Sequence, residues 1–117
     1  MTGSLGEFEQ LVLFAVLRLR DEAYGVSIRR EIEANTGRDV SAGAVYTTLS
    51  RLEKRRFVSS RVGETAPERT GQRRKYYLVE PEGAATLRRS YTDSRRMARG
   101  VLSTLEGLAA RADSGGE

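Results

Sequence analysis

Between Gly43 and Lys54 the chain spaces Gly43, Thr47, Ser50 and Lys54 by one or two helical turns, with Tyr46 and Arg51 on the flanks. At about 100° per residue these side chains share one face of a helix, and that face is small, hydroxyl-bearing and cationic. Hydroxyls can bond base edges or touch a thymine methyl, and small residues such as Ala42 and Gly43 permit close approach to a groove. Arg51 and Lys54 suit backbone phosphates, contacts that position a protein without reading sequence. Ser41, immediately ahead, is a good N-cap; with the first backbone N–H groups of the helix it can cradle a phosphate. Tyr46 admits two readings, a hydroxyl given to a phosphate or a half-buried packing ring.

Further cations lie on either side of this segment. Arg38 precedes it, and Arg69, Arg73, Arg74 and Lys75 follow it. The last four can track a phosphate strand or enter a narrow minor groove. From Arg38 to Lys75 ten basic residues face four acids, a net +6, whereas the rest of the chain carries −2 within a total of +4. A central basic block between neutral or acidic flanks is the footprint of a nucleic-acid-binding face, although charge alone fits a solvated surface as well. Of the 20 basic residues 18 are Arg, a skew that either a GC-rich genome or DNA binding would produce.

Catalysis finds little support. The chain has no Cys and no His, which removes disulfides, thiolate or imidazole zinc sites and every nucleophile–His dyad. Carboxylates such as Glu31 and Glu33 sit on a helix surface without a convergent partner. No enzyme activity, cofactor or metal is expected. No run approaches the roughly 18–20 apolar residues of a membrane span, and the N-terminus lacks a basic-then-apolar signal pattern. The expectation is a cytoplasmic protein without a membrane partner.

The elements that must hold these residues follow from periodicity. Gly6 to Arg20 reads as a first helix, apolar on every face from Leu11 to Leu17, which demands burial all round. Tyr24-Gly25 opens a second helix with Val26, Ile28 and Ile32 as its stripe, and Gly37 suits its left-handed C-cap. The third helix runs from about Ala42 to Arg55 with Val45, Leu49 and Leu52 inward. Extended runs Phe57–Val62 and Lys75–Val79 flank a polar tip, Gly63 to Arg74, expected to project into solvent. Tyr76 and Tyr77 alternate across that strand, so one is buried and the other at the surface.

Pro81 suits the first turn of a last helix that could extend to Arg111, on the order of 45 Å. Along it Leu87, Tyr91, Ser94, Ala98, Val101, Leu105, Leu108 and Ala112 step by alternating fours and threes, a heptad-like seam. With 38% hydrophobic residues, a core shared between two copies suits the chain better than a thick core of its own. The expected homodimer interface comprises Phe8, Leu11, Val12 and Ala15 with Leu87, Tyr91, Ala98, Val101, Leu105 and Leu108; an amphipathic helix within one chain is the other reading. Arg88, Arg89, Arg95, Arg96 and Arg99 are read as a solvated face opposite the seam.

The expected fold is mainly α with a two-stranded antiparallel hairpin, a winged helix-turn-helix over residues 1–80. A dimerisation helix over 81–112 and a disordered tail over 113–117 complete it. In that arrangement the third helix lies in the major groove and the wing reaches the backbone or minor groove of double-stranded DNA.

The residues themselves resemble the PadR family of bacterial transcriptional regulators over nearly the whole length. The likeness is carried in order by Leu11–Leu17, by Tyr24-Gly25-Val26-Ser27-Ile28 and by the segment from Gly43-Ala44-Val45-Tyr46 to Leu52-Glu53. Arg73-Arg74-Lys75-Tyr76-Tyr77 and Pro81-Glu82-Gly83 continue it. The single C-terminal helix resembles the short-tailed branch, which implies dimerisation through that helix and the partner's first helix. The resemblance further implies a sequence-specific regulator, a repressor by preference, on a pseudo-palindromic operator, whose DNA release can follow binding of a small-molecule effector. Two positions depart from the family pattern: Arg56 stands where Gly is usual after the third helix, and Glu80 where Ser, Thr or Asp precedes the last one. The competing reading is a helical protein-interaction or adaptor module whose basic face is incidental.

Overall fold

The protein is described here by a computed structural model covering residues 4–65 and 73–115. Helix α1 (Glu7–Leu19) leads through a short 3-10 turn to α2 (Gly25–Thr36) and α3 (Ala42–Lys54). Strands β1 (Val58–Thr65) and β2 (Arg73–Val79) follow, then α4 (Pro81–Ala98) and α5 (Leu102–Ser114). The chain forms two compact units that divide after Leu87.

In the first unit α1, α2 and α3 surround a core in which Leu13, Ile28, Leu49, Leu52, Val12, Val16, Val45 and Val58 are fully buried. Local chemistry sets the ends of these helices. The Glu9 carboxylate accepts from the Gly6 N–H at 2.8 Å, the Glu half of a capping box at the start of α1. Ser27 Oγ accepts from the Tyr24 N–H at 2.9 Å at the start of α2. Gly37, at φ 73°, supplies the left-handed C-cap of α2. Ser41 Oγ accepts from the Ala44 N–H at 3.1 Å and caps α3, as its position in the sequence predicts.

Strands β1 and β2 pair antiparallel from Val58↔Val79 to Val62↔Lys75, with the register shifting between Val62 and Thr65. The outer edge of β2 is covered by the α1–α2 connection: the Tyr77 N–H donates to the Ala23 carbonyl at 2.8 Å, and Tyr24 bridges to Tyr76. Of the two tyrosines Tyr77 is the buried one, while Tyr76 is half-buried. The start of α4 docks where Gly83 has no side chain; a Cβ there would lie 2.3 Å from the Phe57 carbonyl oxygen. The three-helix core with its hairpin is the winged helix-turn-helix anticipated above.

Three expectations need correction. Val12, Ala15 and Leu87 are 0, 3 and 3% exposed within the single chain, so their side chains already pack on its own core, and the apolar surface left for a partner lies elsewhere. Phe8 and Leu11 also pack on this core but remain partly exposed. Helix α1 is apolar on every face as read, but the chain does not bury it all round: Phe14 and Leu17 stay exposed.

The last helix is also not continuous. In the second unit it stops at Ala98, Gly100 adopts φ 84°, and α5 begins after Val101. A left-handed glycine ends a helix because no Cβ opposes that backbone. Arg56 holds φ 63°, the conformation for which Gly is the usual residue, at a cost on the order of 1 kcal/mol.

Candidate nucleic-acid interface

The outer face of α3 is backed by the core. Val45, Leu49 and Leu52 are fully buried on one side, while Ala42, Gly43, Tyr46, Thr47, Ser50, Arg51 and Lys54 are exposed on the other. Tyr46, Thr47, Ser50, Arg51 and Lys54 line one shallow groove. Nothing lies within 4 Å of a Cβ placed on Gly43, so the first turn is open to an approaching surface. The Tyr46 ring packs against Gly25, where an added Cβ would lie 2.5 Å from the phenol, yet half the residue stays exposed. The hydroxyl end of the ring lies against Gly25, so of the two readings Tyr46 is the half-buried packing ring, with about half of the residue still open to solvent.

The cations expected to meet phosphates do not behave alike. Arg38 reaches the Glu7 carboxylate at 3.1 Å. Arg51 lies 4.0 Å and Arg55 3.6 Å from Glu9, whose side chain is nearly buried. The Arg38–Glu7 pair is exposed at both ends and contributes little to stability, whereas Glu9 is screened from solvent. On β2 the pleat sends alternate residues to opposite faces, which splits the run Arg73-Arg74-Lys75. Lys75 shares the face of buried Tyr77 and meets Glu53 at 3.3 Å. Arg74 lies on the other face, 4.1 Å above the Tyr24 ring. Tyr24 in turn meets Tyr76 edge-on at 5.6 Å, and Arg61 covers Tyr76 at 4.7 Å. Arg73 is exposed at the start of the strand. Arg69 lies outside the described residues.

Three residues that sequence reasoning did not assign to the interface shape it: Glu9, Tyr24 and Arg61. Glu9 could have been found as the third residue of a capping box. Tyr24 and Arg61 left no such trace, because their partners are distant in sequence. No group of His, Cys, Asp or Glu among the described residues could hold a metal ion, and no described helix is long and apolar enough to cross a membrane.

A groove-sized helix face of hydroxyls and cations, flanked by a basic hairpin, defines a winged-helix DNA-binding domain. The profile of the PadR-like family of transcriptional regulators matches residues 13–89, and the chain belongs to that family. It is accordingly a DNA-binding transcriptional regulator. Among solved structures it resembles a PadR family regulator from Eggerthella lenta, with 27% identity, 86% of this chain and 87% of that one covered, and a TM-score of 0.64. A PadR family regulator from Clostridium difficile, at 22% identity, has a TM-score of 0.65 over 84% of this chain and 98% of its own. A transcriptional regulator from Clostridium thermocellum, at 21% identity, has a TM-score of 0.66 over 81% and 89%. The last two show the fold alone. No curated protein matches the chain.

Proposed function

We propose that the protein is a homodimeric repressor that binds a pseudo-palindromic operator, one α3 and one wing per half-site. The exposed face of α3 carries this reading, with small and hydroxyl residues at its centre and cations at its margin. Thr47 and Ser50 meet base edges, Ala42 and Gly43 allow the helix to seat, and Ser41, Arg51 and Lys54 hold phosphates. Arg38 adds a phosphate contact at the flank, and Arg69, Arg73 and Arg74 act from the wing.

The dimer is supported by apolar surface. Val101, Leu102, Leu105 and Leu108 are exposed in the second unit, and Phe14 and Leu17 in the first. Water contact for so many large side chains marks an association surface. In the second unit Tyr91 and Ala98 extend that unit's own apolar surface along α4; in the first, Phe8 and Leu11 extend its separate one along α1. Release of DNA by a small-molecule effector belongs to this reading on the family resemblance alone.

A salt titration tests DNA binding. Protein that neutralises several phosphates loses affinity steeply as salt rises. Wild type is expected to show that slope on an operator duplex, and Arg73→Ala with Arg74→Ala to flatten it. An adaptor module with an incidental basic face would show neither.

A further inference from the structure

Glu53 is the one acid that α3 turns towards the wing, and both of its carboxylate oxygens are engaged. Oε2 accepts from the Ser60 hydroxyl of β1 at 2.6 Å, and Oε1 meets the Lys75 ammonium of β2 at 3.3 Å. Register places these partners close together, since Ser60 pairs with Tyr77 and Val62 with Lys75 on one face of the hairpin. Lys75 also lies 5.8 Å from the Tyr77 ring, over the edge of the core. A single carboxylate therefore ties both strands of the wing to the C-terminal half of the recognition helix.

We propose that Glu53 is a positioning residue that sets the wing on the recognition helix through Ser60 and Lys75, and that Lys75 is held by this acid rather than by DNA. The proposal rests on the DNA-binding reading and reassigns one of its cations. Its consequence is specificity: with the wing root fixed, Arg73 and Arg74 reach the duplex at a set distance from Thr47 and Ser50. The Ser60 hydrogen bond and then Lys75 hold the Glu53 carboxyl below its ordinary range, against some desolvation. Arg56 and Glu80 line the same hollow, so the local field includes one further cation and one further acid.

Two measurements test the brace. In the first, binding to a mixed-sequence duplex is followed across a salt series by fluorescence anisotropy. Removing one phosphate interaction reduces the slope of log affinity against log salt by about 0.9. Lys54→Met is expected to show that reduction, Lys75→Met to leave the slope unchanged, and Glu53→Gln to steepen it by releasing Lys75. A slope reduced by about 0.9 in Lys75→Met overturns the assignment.

The second measurement needs no DNA. Carbon-detected NMR titration of the Glu53 carboxyl is expected to show an upward-shifted midpoint in Lys75→Met and a nearly wild-type midpoint in Lys75→Arg, which keeps the cation. A midpoint that ignores Lys75→Met overturns the brace. If wild type shows no salt-dependent binding, the DNA reading fails alone, and the titration still decides the brace.

Discussion

Helices α3 and α5 are both 13 residues long and both carry leucines at helical spacing, yet they use them in opposite ways. Leu49 and Leu52 of α3 are 0% exposed, whereas Leu102, Leu105 and Leu108 of α5 are 54, 56 and 58% exposed. Periodicity states which face of a helix is apolar and leaves open what covers it. In α3 the cover is the chain's own α1 and α2, which frees the opposite face for a ligand. In α5 no residue is buried, and a second copy is the cover proposed.

The contrast is most exposed to Leu49→Ala, which should cost about 2–5 kcal/mol in urea unfolding because a fully packed side chain leaves a cavity. Leu105→Ala should change monomer unfolding by no more than about 0.5 kcal/mol, as a surface substitution does. Equal costs at dilutions that favour the monomer would make α5 an ordinary part of the core. Leu105→Asp should instead raise the dimer dissociation constant on the order of 10- to 100-fold, read by sedimentation, since one leucine's burial is worth about 1.5–3 kcal/mol.

Smaller effects sharpen the α3 half. Gly43→Ala should stabilise the fold by about 1 kcal/mol through helix propensity, because the added Cβ meets open space. Gly43→Leu should keep the fold and weaken duplex binding about 10-fold, about 1.4 kcal/mol, by blocking the seat of the helix. Arg56→Gly should gain up to about 1 kcal/mol by relieving the positive φ, measured by denaturant midpoint.

The smallest expected effect is that of pH on the Glu53 brace. The folded carboxyl titrates below its unfolded value of about 4.3, so its contribution is present above that pH. It fades as pH falls through the lower folded value. Unfolding curves of wild type and Glu53→Gln should therefore differ near neutrality and converge in acid.

The three core helices, the caps at Gly37 and Ser41 and the hairpin were legible because each rests on local signals: Ser41 ahead of a helix, Gly37 past a helix end, Val45, Leu49 and Leu52 at fixed spacing. Three features were not. The seam from Leu87 to Ala112 keeps its phase through the turn at Arg99–Val101, so periodicity hid the break that Gly100 makes. Apolar residues at seam positions read the same whether they meet their own chain or another, which is why the burial of Val12, Ala15 and Leu87 in their own chain's core was not legible. The run Arg73-Arg74-Lys75 looked like one patch, but the strand pleat gave Arg74 to Tyr24 and Lys75 to Glu53.

The most direct measurement is a footprint of the purified protein on DNA upstream of its own gene, at moderate salt. The account predicts protection of an inverted repeat, with half-site centres about 10 base pairs or a multiple apart. Protection should vanish as salt rises and fail in a Thr47→Ala, Ser50→Ala variant. Absence of protection at any salt would contradict the DNA-reading face on α3, and protection of a lone half-site would contradict the dimer.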